Sequence, residues 1–266
     1  MKNKYLFPRP TLVLHSLVHD GIAMRACAII PVRRGSKRIL RKNLKLLCGK
    51  PLLAHILDAA LASECFVSGD VRVVSDDEDA LELAERMGAT PVIVPASMAD
   101  DDSPIIPVLQ TALKIMPATA THATSRPDLV CYLRATSPFV RPDTIQRAVA
   151  SLYAGGTKGE RVDSVVSVQQ VTGAHPSRFK MCDSTTGLLI DAFHDFPEGL
   201  QPVSSATLTA LQRNSAITVM WSETLLEKES LWGTRIKPMV MHSDREGLDI
   251  NTSLEFDFAE FLAQQR

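Results

Sequence analysis

From Ala26 onward, short apolar runs alternate with amphipathic stretches, and this alternation restricts the fold more than any other feature of the chain. Ala26-Cys-Ala-Ile-Ile30 is apolar throughout and stops at Pro31, the pattern of a strand buried on both faces. Pro51 then opens a stretch with Leu52, Leu53, Ile56, Leu57, Ala60 and Leu61 at helical spacing, and proline suits a first helical turn. Val71 to Val74 reads as a second strand. Asp76, Asp77, Glu78 and Asp79 start a helix carrying Leu81, Ala84 and Met87, closed by Gly88. Thr90 to Pro95 reads as a third strand, and Ser103-Pro104 as the start of a helix through Met116. Leu129 to Leu133 is a fourth strand, Pro142 opens a helix ending before Gly155-Gly156, and Ser164 to Val168 is a fifth strand. Strands separated by helices of this length form βαβ units, so the expected class is α/β with a doubly wound, mainly parallel sheet.

The rhythm breaks between Thr172 and Gln212, where short runs such as Leu188-Leu-Ile190 are punctuated by turns. This stretch is read as an inserted β-rich arm, packed on the sheet edge or on a second subunit. The alternation returns with Ser215 to Met220, a helix near Glu223 to Glu229 and a last helix from Thr252. Residues 1–23, with Pro8, Arg9 and Pro10 among them, make a poor signal peptide and are read as an extension outside the fold. The expected domain is therefore 24–266, with the arm at about 172–212.

Composition narrows the function. Lys+Arg is 29 against Asp+Glu 30, a net charge of −1, which argues against a nucleic-acid binder. The five cysteines form no C-x-x-C pair, as expected of reduced thiols in a cytoplasmic protein. No apolar run approaches the roughly 20 residues of a membrane helix. The charge is unevenly spread, however. Seven of the thirteen residues from Arg33 to Lys45 are Lys or Arg, and they follow the first strand. Ligands in open α/β sheets bind at the carboxyl ends of strands, and Gly35 with Ser36 among these cations suits a phosphate-rich ligand. The loop is not a phosphate-binding loop of the Walker type, because Gly49-Lys50 is followed by Pro51; no G-x-G-x-x-G, G-x-S-x-G or H-E-x-x-H is present either.

Met24 to Asn43, with its Ala-Ile-Ile-Pro and Arg-Gly-Ser-Lys segments and Lys42-Asn43, resembles the opening of the acylneuraminate cytidylyltransferases (CMP-sialic acid synthetases). The resemblance continues in order through Cys48 to Leu52, Val74 to Asp77, Pro95 to Asp100, Leu133 to Pro138, Asp163 to Val168 with His175-Pro176, Asn214 to Ile217 and Leu248 to Thr252. It implies a Rossmann-like fold with a dimerisation arm, a homodimer, and Mg²⁺-assisted joining of CTP to an acidic nine-carbon sugar, releasing pyrophosphate. It also implies that Arg33, Lys37 and Lys42 are catalytic. Arg33, Ser36, Lys37, Asn43, Asp77, Arg134, Thr136 and Ser137 would bind the nucleotide, Arg213 and Asn214 the sugar, and Asp249 with Asn251 the metal.

Several positions depart from the family pattern. Asn251 replaces the second carboxylate of the D-I-D-T motif, Arg134-Ala135 stands for Gln-Pro, Ser215 for glycine, and Val94 for a common arginine. The arginine motif of the sugar side has no clear counterpart in Gln201 to Ser205. These departures leave open another keto-sugar acid (pseudaminic, legionaminic or Kdo-type) or a non-catalytic nucleotide-binding relative. His175 is read as a turn residue, Asp100 to Asp102 as a solvated turn, and Trp221 and Trp232 as core or dimer contacts.

Overall fold

Seven strands make one mixed sheet, and the near-continuous apolar runs of its central strands present a hydrophobic face on each side. In the computed structural model, which describes residues 17–19, 22–99, 103–114, 126–171, 176–193 and 210–265, the strands are β1 (Ala26–Val32), β2 (Val71–Ser75), β3 (Thr90–Ile93), β4 (Leu129–Leu133), β5 (Ser164–Val171), β6 (Ala210–Trp221) and β7 (Ile236–Val240). Their spatial order is β7-β5-β6-β4-β1-β2-β3. The helices are α1 (Leu52–Ala62), α2 (Glu78–Arg86), α3 (Ile105–Lys114), α4 (Pro142–Tyr153), α5 (Ser222–Leu226) and α6 (Ser253–Gln264).

β1 shows how the sequence decides the layers. Ala28 and Ile30 face one way and join Leu53, Leu57, Ala84 and Ile145 from α1, α2 and α4. Cys27 and Ile29 face the other way and join Leu109 and Leu113 of α3 and Leu225 of α5. Each such fully buried aliphatic side chain contributes about 1.5–3 kcal/mol, so this one strand anchors helices on both faces. Burial pushes the Cys27 thiol up to about 12, so it is inert packing rather than a nucleophile. Among the described residues all five cysteines are free.

The mainly parallel α/β expectation holds, with two refinements. β6 runs antiparallel to both neighbours, β4 and β5. β7, which the sequence reading did not anticipate, pairs in parallel with β5 at the sheet edge. Pro238 sits within β7, and an edge strand tolerates a residue without an N–H. Helix limits shift slightly: α3 begins at Ile105, and α5 covers Ser222–Leu226 rather than 223–229.

In the expected arm, Lys180–Cys182 pairs antiparallel with Leu189–Asp191, leaving Met181, Leu188 and Leu189 exposed. Leu17–His19 pairs antiparallel with Ile22–Met24, immediately before β1. The expectations for residues 1–16, Asp100 to Asp102, His175 and Gln201 to Ser205 lie outside the described residues.

Candidate active site

The residue after each parallel strand emerges at the same sheet edge, so Arg33 after β1, Asp76 after β2 and Arg134 after β4 converge there. Because β6 is reversed, its early residues Arg213 to Ser215 reach that edge too. Ser215 takes a left-handed conformation (φ 60°) where the β5–β6 register shifts, the backbone state for which glycine is the usual choice.

These elements enclose a cavity of ≈ 380 Å³. One wall carries Arg33, Ser36, Lys42 and Asn43 from the basic loop, with Arg134, Thr136 and Asn251 beside them. The floor is apolar, built from Val74, Val94, Val108 and Tyr132. Arg213, Ser215 and Trp232 form the far side, with the Arg213 guanidinium 4.2 Å from the centre of the Trp232 ring. Trp232 thus belongs to the cavity wall, whereas Trp221 is core: it is 8% exposed and its indole N–H donates to the Val162 carbonyl at 2.8 Å.

Leu248 to Thr252 is clamped beside the cavity, with Asn251 in its lining. Ile250 is fully buried among Ile39, Leu47, Leu52 and Phe256, so Asp249 and Asn251 on either side of it turn away from that small core. The Lys42 ammonium donates to the Ile250 carbonyl at 2.8 Å, and the Ile250 N–H donates to the Thr136 carbonyl at 2.9 Å. Thr252 caps α6 in a reciprocal box with Glu255, whose carboxylate also accepts from the Asn251 N–H at 2.7 Å. The Thr252-Ser-Leu-Glu255 spacing that signals such a box was available in the sequence.

Electrostatically the wall is crowded with cations. Burial lowers the affinity of Lys42 for its proton, and nearby Arg33, Arg134 and Arg38 add to this, outweighing the opposing pull of Asp249. An anionic ligand would relieve that repulsion. Asn43 is 7% exposed; its amide donates to the Arg33 carbonyl at 3.3 Å, while its side-chain oxygen is buried with no hydrogen-bond partner. A buried acceptor on a cavity wall is a position where a ligand donor is favoured.

Not every expected site residue lines the cavity. Lys37 is exposed on the same loop, one residue beyond Ser36. Asp77 lies at the start of α2, where its carboxylate accepts from Arg41 at 3.1 Å and thereby ties down the basic loop. Ser137 is fully buried behind the wall, in a turn where its N–H donates to the Arg134 carbonyl. The Asn214 side-chain oxygen accepts from Ser167 at 2.6 Å, bracing the β5–β6 irregularity. Val94, Met98, Tyr132 and Trp232 were missed as site residues, since an apolar side chain on a cavity floor carries no pattern separating it from core.

The Asp249–Asn251 pair offers a metal ion little, because its donors and acceptors are already engaged with each other and with neighbours. Asp249 accepts from Arg134 at 3.0 Å and from the Asn251 amide N–H at 2.9 Å on one oxygen, and from the Thr136 hydroxyl on the other. Among the described residues no group of three His, Cys, Asp or Glu side chains is placed to hold a metal ion. One carboxylate, already paired with a guanidinium, does not fit a protein-held divalent ion.

Comparison with known proteins agrees with this architecture. A cytidylyltransferase family model matches residues 27–199. A CMP-N,N'-diacetyllegionaminic acid synthase of Legionella pneumophila is 31% identical over 244 residues, 91% of this chain and 97% of the relative. An N-acylneuraminate cytidylyltransferase of Escherichia coli O18:K1:H7 is 28% identical over 239 residues, 90% of this chain but 52% of that longer protein. In fold, the CTP complex of a CMP:2-keto-3-deoxy-manno-octonic acid synthetase superposes with a TM-score of 0.62 at 15% identity, covering 91% of this chain and 99% of the other. The chain, as its resemblance to the acylneuraminate cytidylyltransferases implied, belongs to the cytidylyltransferase family and is a nucleotidyltransferase.

Proposed function

We propose that this enzyme joins CTP to a sialic-acid-like nonulosonic acid, forming a CMP-sugar and pyrophosphate. The observation that carries the proposal is the asymmetry of the cavity: a cation-rich wall at Arg33, Lys42 and Arg134 faces a second wall with an arginine over a tryptophan, Arg213 and Trp232. The first suits a triphosphate and the second a carboxylated sugar. In the reaction the anomeric hydroxyl oxygen of the sugar bonds to the α-phosphorus, the bond to the β,γ-pyrophosphate breaks, and the hydroxyl proton leaves to solvent. Arg33, Lys42 and Lys37 neutralise charge on the phosphate oxygens, and that electrostatic work with positioning supplies most of the rate. Lys37 acts from the exposed part of the loop as it folds over the triphosphate. Asn43, through its unpartnered oxygen, accepts a hydrogen bond from the nucleotide; Thr136 and Ser137 shape the turn beside it. Mg²⁺ enters with CTP as its counter-ion.

An N-acylated legionaminic acid is the first acid to try, because that substrate appears in the name of the Legionella relative matched along almost its whole length. The exposed apolar residues of the 180–191 hairpin support a homodimer built through the arm. No helix among the described residues is long and apolar enough to cross a membrane, and cytoplasmic synthesis fits a reaction fed by CTP. Pyrophosphate release with CTP, Mg²⁺ and a panel of legionaminic, pseudaminic, N-acetylneuraminic and Kdo acids tests the reading. Release with a nine-carbon acid is expected. Release with Kdo alone would move the enzyme to eight-carbon acids, and release with none would refute the proposal.

A further inference from the structure

The disagreement between the expected metal pair and the donors in place has a physical resolution, which rests on the CTP reading above. Arg134 leaves the end of β4 and enters the cavity wall with 38% of its side chain exposed, next to an Asp249 side chain that is 17% exposed. One guanidinium nitrogen bonds the carboxylate at 3.0 Å. Its Nε atom is buried without a partner, so the group retains a donor that no protein atom satisfies. A divalent ion on Asp249 would sit within a few ångströms of that fixed cation and compete with it for the same oxygen. Asn251 presents an N–H to the carboxylate at 2.9 Å. Turning its amide over would set two oxygens against each other, so neither orientation assembles a hard-cation site with Asp249.

We propose that Arg134 is the fixed cation of the nucleotide half-site, standing where a protein-held divalent ion would otherwise bind, and that it contacts the triphosphate directly through its remaining donors. Guanidinium is suited to this because it cannot lose its charge and offers five donors in a planar fork. Arg134 is then a substrate-contacting residue, and the only divalent ion at the site is the one CTP brings.

Two measurements test this. The first titrates Mn²⁺ against the protein alone, without nucleotide, and follows the free ion by electron paramagnetic resonance. Wild type is expected to match Asp249→Asn, whereas the double variant Arg134→Gln/Asn251→Asp, which frees one carboxylate and restores another, gains at least tenfold in affinity. The second measures CTP binding in excess EDTA. Arg134→Gln is expected to weaken it at least tenfold, and Arg134→Lys to recover part of the loss, with thermal unfolding confirming that each variant is folded. Wild-type Mn²⁺ binding that disappears in Asp249→Asn would overturn the proposal, as would metal-free CTP affinity unchanged in Arg134→Gln. The Mn²⁺ measurement involves no nucleotide, so it stands even if the acid-sugar panel gives no turnover.

Discussion

The two ends of the parallel strands use the same residue types for opposite purposes. At the amino end, Arg25 precedes β1, Asp70 precedes β2, Asp128 precedes β4 and Asp163 precedes β5. Here the charges are tied into the protein: Arg25 bonds Asp70 at 2.5 and 2.9 Å, Arg72 reaches the same carboxylate at 3.0 Å, and the Arg25 backbone N–H donates to Asp128 at 2.8 Å. Asp70 and Arg72 are fully buried. At the carboxyl end, Arg33, Lys42 and Arg134 crowd one wall around a cavity open to ligand, with Asp249 near Lys42 and bonded to Arg134. The lesson is that charge density alone does not mark a site. What marks it is like charge crowded together, as at Lys42 beside Arg33 and Arg134, at an edge where backbone direction also delivers polar atoms.

The sharpest way to break this contrast is to remove one charge from each end. Asp70→Asn leaves two guanidinium groups without their carboxylate, and breaking a buried pair of this kind costs about 3–5 kcal/mol. Urea unfolding should record that loss while the surviving folded fraction keeps its CTP affinity; stability within about 1 kcal/mol of wild type would show that the amino-end cluster is not structural. The carboxyl end should respond in reverse. Lys42→Ala is expected to lower kcat about 10²-fold or more, as removal of a preorganised charge stabiliser does, with little change in the urea midpoint. Lys37→Ala, on the exposed part of the loop, should lower kcat by less than Lys42→Ala does and raise KM for CTP as well. Equal effects on kcat from both lysines would merge the two roles.

Much of this division was legible in the sequence, but unevenly. The parallel core was readable because β1, β2, β4 and β5 begin as short, mostly apolar runs bounded by turns, and burial on both faces demands such composition. The reversal of β6 was not, since strand direction depends on the connection before it. The signal lay in what that connection lacks: no 10–15-residue amphipathic pattern between Val171 and Ala210 provides a helical crossover. Without that direction, Arg213 and Ser215 could be placed at the cavity only through resemblance. The basic loop was visible as cation density, whereas the Arg41–Asp77 contact that ties it to the start of α2 joins residues 36 positions apart and left no local pattern. The Arg134–Asp249 bond joins residues 115 positions apart, a separation that no local pattern records.

Asp163 offers the mildest test and the one that couples the two ends. It precedes β5 at the amino edge, yet its carboxylate accepts from the Thr234 and Arg235 N–H groups at 2.8 and 3.0 Å and from Lys228 at 2.7 Å. It thereby folds the turn that carries Trp232 to the cavity. Gly233 in that turn has φ 67°, and a Cβ there would meet the Asp163 Cβ at 2.4 Å, so the approach requires glycine. Burial opposes ionisation of Asp163, but the bonds from Lys228, Arg235 and Thr234 outweigh it and hold the carboxyl well below the usual carboxylate range. A depressed carboxylate stabilises the fold above its unfolded pKa of about 3.9, and this contribution fades as pH falls through the folded value. Asp163→Asn should therefore cost about 1–2 kcal/mol at pH 7, limited by the solvent exposure of Lys228. The gap to wild type should narrow progressively below about pH 5 in urea titrations. If the gap instead stayed constant down to pH 2, the carboxylate's charge would not be what holds the turn, and Trp232 would owe its place on the cavity wall to packing alone.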